Sequence, residues 1–196
     1  IEGVSRHTIA TTVPREDGEV NILLDVGANA DCKPEHLAQF GQLGALYAEY
    51  IFGHKNPEVG LLNLGEEEGK GNILTQGTYA LLKSNPHINF VGNVEGRNLF
   101  DGKARVIVTD GFTGNVVLKM AESVYDLFHK KIQDDPILEQ LNYEMYGGVP
   151  VLGVNAPVII GHGISTAKAF VAMIHSAAKV IKTGLIDAMK QQFAIK

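Results

Sequence analysis

Short apolar runs, glycine-rich turns and amphipathic stretches alternate along the whole chain. Val20 to Leu24 reads as a buried strand, and Asp25-Val26-Gly27-Ala28-Asn29 is the turn that leaves it. A helix is predicted from about Pro34 to Phe52, where Leu37, Phe40, Leu43, Tyr47 and Ile51 fall near one face and Pro34 is confined to the first turn. Val59 to Asn63 is the next strand, and Gly65 to Gly71 is a charged loop after it. Asn72 is placed to cap a helix over Ile73 to Lys83. Ile88 to Val91, Arg105 to Thr109 and Val158 to Ile160 are three further strands. The turn Asp110 to Gly114 leads into a helix from Val116 to Ile132, with Met120, Val124, Leu127 and Phe128 expected on its buried side. Ser165 to Thr183 is a long helix that Gly184 ends, and a last helix follows.

Strands alternating with helices place the chain in the α/β class, as a mostly parallel sheet with flanking helices. Such folds bind ligands beyond the carboxyl ends of their strands. The turns Asp25 to Asp31, Gly65 to Gly71 and Asp110 to Asn115 all follow strands, so they are expected along one rim. No low-complexity tract, repeat or flexible linker divides the chain.

Composition narrows the partners. The 196 residues, 45% hydrophobic with 22 glycines, suit a compact α/β enzyme. A net charge of −5 argues against nucleic acid, which wants a basic stripe, while leaving room for one local phosphate pocket. Cys32 is the only cysteine, so no internal disulfide forms, in keeping with a reducing cytoplasm. No apolar run is long enough to span a bilayer, and no signal peptide is visible. The opening Ile-Glu-Gly has no initiator methionine, so a processed or partial chain is expected.

Four segments carry candidate chemistry. In Asp110-Gly111-Phe112-Thr113-Gly114-Asn115, two glycines let the backbone approach a ligand, and free amides at the helix start would face an anion. The plainer reading is a tight turn with Thr113 or Asn115 as the cap. The spacing fits neither a Walker loop nor the dinucleotide fingerprint. In Gly65-Glu66-Glu67-Glu68-Gly69-Lys70-Gly71-Asn72, a cation at a helix start opposes the helix dipole, which makes sense if an anion binds there. Alternatively the three glutamates neutralise Lys70 on a solvated loop. Asp25 and Asp31 are candidates for paired carboxylates, with turn and cap roles for Asn29 and Asp31 as the alternative. His162, between Gly161 and Gly163 after a strand, is a candidate donor to whatever fills the rim, or else a loop histidine bonded to backbone. His36, His54, His87, His129 and His175 lack zinc-like spacing, so no metal is expected. Cys32 lacks a local activating base and reads as structural.

Taken in order, several segments resemble the phosphate acyltransferase family called PlsX. They are Leu23 to Cys32, Gly60 to Gly65, Lys70-Gly71-Asn72, Phe90-Val91-Gly92-Asn93-Val94-Glu95-Gly96-Arg97 and Asp110 to Lys119. Tyr146-Gly147-Gly148, Pro157-Val158-Ile159 and His162-Gly163 complete the set. The resemblance implies a fold akin to isocitrate and isopropylmalate dehydrogenases and to phosphotransacetylases, and a homodimer. It implies that acyl carrier protein and inorganic phosphate are the partners, with acyl phosphate as product and no cofactor. For that reaction, Lys70 and the turn of Gly111, Thr113, Gly114 and Asn115 would hold phosphate and the oxyanion. Asp110 and His162 would orient groups or handle the thiol proton, and Asn29, Asp31 and Asn72 would line the substrate rim.

Family members also carry a large N-terminal segment, so residues 1–196 are expected to be the C-terminal part of one catalytic unit. Their segment corresponding to Ile132–Tyr146 is longer and associated with dimer contacts and membrane attachment. Peripheral attachment at the inner face of the membrane is therefore an expectation, against which the shortness of this segment counts unless it reflects residues missing from the sequence. The rival readings are a short-chain phosphotransacylase using acyl-CoA, a nicotinamide-dependent dehydrogenase of related fold, and a non-catalytic membrane scaffold.

Overall fold

A computed structural model of the chain describes residues 1–132, 135–142, 147–163 and 165–194. Seven strands form one sheet: β1 (Thr8–Pro14), β2 (Val20–Leu24), β3 (Glu58–Asn63), β4 (Asn89–Glu95), β5 (Val106–Val108), β6 (Gly148–Leu152) and β7 (Ile159–Gly161). Their spatial order is β4-β3-β5-β2-β1-β6-β7. The half from β4 to β2 is parallel, whereas β1 runs against β2, β6 against β1, and β7 against β6. The expected mostly parallel sheet is therefore a mixed one. Most of the difference comes from β1, which periodicity passes over: three of its seven residues are threonines and it closes on Pro14. Pairing on both sides places it inside the sheet nonetheless.

The helices are α1 (Pro34–Phe52), α2 (Ile73–Ser84), α3 (Gly111–Phe128), the short α4 (Pro136–Glu139), α5 (Ala167–Thr183) and α6 (Leu185–Phe193). Leu37, Phe40, Leu43 and Tyr47 of α1 are buried as their spacing predicts, and Ile51 packs against them half-buried. Burying side chains of this size contributes about 1.5–3 kcal/mol each. Gly44 lets α1 lie close on the sheet, since a Cβ there would come within 2.6 Å of Val106 Cγ1. Gly184, at φ 73°, ends α5 as expected. Leu185, Met189 and Phe193 of α6 complete this core. Among the described residues no single helix is long and apolar enough to cross a membrane.

α3 covers part of the opposite face. It begins at Gly111, five residues before the expected Val116, because Asp110 rather than Thr113 or Asn115 caps it. Its inner side is also not the one expected. Gly111 and Gly114 are buried, and Val117 and Leu118 pack on a second cluster with Val13, Leu23 and Ile107. Met120 and Leu127 are 65% and 59% exposed, and Val124 and Phe128 are exposed too. Close approach to the turn at residues 25–29 selects the helix face with small residues. The bulky face is left outward.

Candidate functional site

Because β2, β3 and β5 are parallel neighbours, the turns that follow them do meet along one edge of the sheet. Asp25 anchors the first turn. Fully buried, its Oδ1 accepts from the amides of Ile9 (3.1 Å), Gly27 (3.3 Å) and Ala28 (3.0 Å). Its Oδ2 accepts from the Asn29 amide (2.8 Å) and Asn29 Nδ2 (2.7 Å). Among the described residues, the groups bonded to this carboxylate are backbone amides and the Asn29 side-chain amide. Asp31 is exposed, so the two aspartates do not form a paired site. Asn29 is buried as well. Its Nδ2 also donates to the His7 carbonyl at 2.8 Å, which makes it a brace inside the turn rather than a group on the rim.

The second turn docks on the first. The Gly111 amide donates to the Asn29 carbonyl at 2.8 Å, and Asn115 Nδ2 donates to the Val26 carbonyl at 3.3 Å. A Cβ on Gly114 would sit 1.8 Å from the Asp25 carbonyl oxygen, so only glycine permits this approach. Asp110 Oδ1 accepts from the Thr113 amide at 2.9 Å, Asp110 Oδ2 accepts from Thr113 Oγ1 at 2.8 Å, and the Gly114 amide donates to the Asp110 carbonyl at 2.9 Å. The helix-start amides expected to face an anion are therefore engaged at Gly111, Thr113 and Gly114. A capping carboxylate has taken the place an anion would need. What this turn still offers is the Phe112 amide and the exposed side chain of Asn115.

Burial pushes the Cys32 thiol up to about 11, and the nearby Asp25 and Asp110 carboxylates add to the shift. Only a small thiolate fraction exists at neutral pH, as suits a structural cysteine.

Lys70 lies on the third turn, exposed beside the start of α2. Asn72 is the cap of that helix, accepting from the Thr75 amide at 2.9 Å, so its side chain is a structural part of the rim. The alternative in which three glutamates neutralise Lys70 loses two of them. Glu66 pairs with Lys103 at 2.7 Å, and Glu68 pairs with Lys83 at 2.8 Å. Among the described residues no carboxylate comes within ion-pair distance of the Lys70 ammonium. Two residues that sequence reasoning left without a role hold this loop. Asn93 Nδ2 donates to the Glu67 carbonyl at 2.8 Å, and Asn63 Nδ2 donates both to Asn93 Oδ1 and to the Lys70 carbonyl, each at 3.1 Å. Asn93 is buried, and the signal available was an asparagine amid the apolar residues of a strand.

A cleft of about 270 Å³ opens beside the rim, between α3 and the antiparallel half of the sheet. Gly27 and Asn115 lie at its rim end, Ile9, Thr11 and Val13 of β1 run along it, and Gly148, Gly161 and His162 are at the other end. The strand directions fix that last position. β7 runs opposite to β6, and Gly161 pairs with Gly148 at the start of β6. His162 thus leaves the sheet at the edge opposite the rim. It does not join Lys70, Asp110 and Asn115 as expected. Tyr146 of the expected Tyr146-Gly147-Gly148 motif lies outside the described residues. Among the described residues no three His, Cys, Asp or Glu side chains gather as a metal site.

The profile of a family described as "Fatty acid synthesis protein" matches residues 1–137 and 130–188. The chain belongs to the fatty acid synthesis protein family. Its similarity to curated proteins named phosphate acyltransferase is extensive. The protein from Dictyoglomus turgidum is 47% identical over 201 residues, covering 93% of this chain and 60% of the relative. The Desulfitobacterium hafniense protein (strain DSM 10664 / DCB-2) is 45% identical over 212 residues, covering 98% and 63%. That of Staphylococcus aureus (strain bovine RF122 / ET3-1) is 40% identical over 210 residues, covering 97% and 64%. The chain therefore spans a little over three-fifths of the length of these relatives. The fold of this family member also matches solved structures. A phosphotransacetylase from Streptococcus pyogenes superposes with a TM-score of 0.65 at 19% identity, over 92% of this chain and 55% of that one. A branched-chain phosphotransacylase from Enterococcus faecalis gives 0.63 at 16% identity, over 89% and 63%.

Proposed function

We propose that the protein takes part in acyl transfer from acyl carrier protein to inorganic phosphate, yielding acyl phosphate and free carrier in fatty acid and phospholipid synthesis. The observation that carries this reading is the Lys70 ammonium. Among the described residues it has no carboxylate within ion-pair distance, and the neighbouring Glu66 and Glu68 are paired with Lys103 and Lys83. Relatives at 40–47% identity named phosphate acyltransferase support it.

In this reading Lys70 holds the phosphate through its charge. A phosphate oxygen forms a bond to the thioester carbonyl carbon, the C–S bond breaks, and the thiolate leaves with the electron pair and takes a proton from water. Phosphate is itself anionic, so positioning and charge stabilisation are the protein's main tasks. The second N–H of Asn115 Nδ2, whose first bonds the Val26 carbonyl, and the Phe112 amide receive the oxyanion. Asp110 positions Thr113 and the first turn of α3, Gly111 and Gly114 keep that turn on the Asp25 loop, and Asp31 and Asn72 flank the entrance. His162, at the opposite edge, takes no part in the bond change. We further take the fold to be the one shared with isocitrate and isopropylmalate dehydrogenases, and the protein to act in the cytoplasm as a homodimer. The exposed Phe112, Val116, Met120 and Leu127 of α3 support the dimer. We assign that face to a second copy rather than to a membrane surface.

Steady-state kinetics with phosphate varied test the reading, comparing acyl carrier protein with coenzyme A as the acyl donor. Lys70→Ala is expected to lower turnover about a hundredfold, the scale of a lost electrostatic contact in a transition state. Its stability should stay within about 1 kcal/mol, as for an exposed side chain. Lys70→Arg should restore activity in part, since a guanidinium presents its donors differently. Near-normal turnover in Lys70→Ala would remove phosphate from this loop.

A further inference from the structure

The cleft beside α3 has a shape that the bond change at the rim does not require. It is elongated along β1. From Ile9 to Val13 the strand advances about 14 Å at ~3.4 Å per residue. Its walls include Ile9, Val13, Val26, Leu118, Val149 and Ile160. The charged groups on its lining, Lys119 and Glu122, neutralise each other through a 2.7 Å ion pair. A neutral, apolar and extended occupant fits such walls; a nucleotide or sugar does not.

We propose that this cleft is the binding site for the hydrocarbon tail of the acyl group, with the tail entering beside Asn115 and ending near His162. The proposal rests on the acyl-transfer reading and adds to it where the chain lies and what measures its length. Two independent scales give the same size. A zigzag chain advances about 1.3 Å per carbon, so 14 Å takes about ten carbons. An apolar cavity of about 150 Å³ accepts benzene, so a cleft of about 270 Å³ again takes about ten. Ala121, a small residue of α3 on the cleft wall, is then a specificity-determining position. A larger side chain there would project into the path of the tail, on a helix that readily accepts Leu or Phe.

Isothermal titration calorimetry with monoalkyl phosphates from hexyl to hexadecyl tests this without relying on turnover. Affinity should rise about fifteenfold for every two carbons, and the rise should level off near about ten. Ala121→Phe should move that break to about six carbons or fewer, with Ala121→Leu intermediate. Affinity that ignores chain length, or a break that neither variant moves, would overturn the proposal. Acyl phosphate formation is measured separately. A length-dependent series in a protein that forms no acyl phosphate would leave the cleft standing and remove the acyl-transfer reading. Turnover with a flat binding series would do the reverse.

Discussion

Gly114→Ala should destabilise the protein far more than a single methyl group suggests. An alanine Cβ would lie 1.8 Å from the Asp25 carbonyl oxygen, 2.9 Å from its carbon and 3.0 Å from Thr109 Cγ2. Reaching an ordinary C···O contact of about 3.3 Å requires a separation of roughly 1.5 Å between α3 and the turn. The turn cannot yield cheaply, because five N–H groups fix the Asp25 side chain. If α3 withdraws instead, the 2.8 Å bond from Gly111 to Asn29 and the 3.3 Å bond from Asn115 to Val26 stretch out of range. Two lost bonds at about 1 kcal/mol each, with the packing strain, sum to about 3 kcal/mol. For a chain of this size that corresponds to a fall in Tm of about 6–12 °C. Gly96→Ala is the control, since nothing lies within 4 Å of its added Cβ, and it should stay within about 0.5 kcal/mol. Circular dichroism melts and urea midpoints measure both. A Gly114→Ala protein melting within about 2 °C of the parent would refute the claim that the two turns are locked together.

Two further outcomes follow from the same geometry. Asp25→Asn removes the charge and turns an –NH₂ group toward amide donors, so a loss of about 3 kcal/mol is expected in urea unfolding. An unchanged midpoint would show that the turn does not depend on the carboxylate. Leu127→Asp combined with Met120→Asp should leave the melting temperature of the fold nearly unchanged, since both side chains are largely exposed, yet convert a dimer to a monomer in sedimentation. A double variant that still sediments as a dimer would move the interface off α3.

Much of the fold was legible because local physics dictated it. The spacing of Leu37, Phe40, Leu43 and Tyr47 selects one helix face, Asn72 caps α2, and Gly184 stops α5. The three turns after parallel strands do share an edge. Other features were not local. Thr-rich β1 gives a weak apolar signal, and only pairing with β2 and β6 shows that it lies inside the sheet and runs against both neighbours. The antiparallel pairing of β7 with β6 is what carries His162 to the opposite edge, a position no motif can disclose.

For the site, the residue types and their order were enough to single out Lys70 and the Asp110–Asn115 turn. A glycine-flanked cation opposes the dipole of the helix it precedes, and a glycine-bearing strand-to-helix turn can bring backbone amides close to a ligand. Whether each group is available was decided in three dimensions. Hydrogen bonding to Asn29 and Asp110 occupies the amides that looked open, whereas Lys103 and Lys83 draw Glu66 and Glu68 away from Lys70. The outward face of α3 was settled in the same way. Periodicity marks which residues share a side, but the approach of Gly111 and Gly114 to the Asp25 turn determines which side is buried. Sequence patterns express short-range steric and capping preferences, while partner choice among polar groups depends on which segments the folded sheet brings within 3 Å of one another.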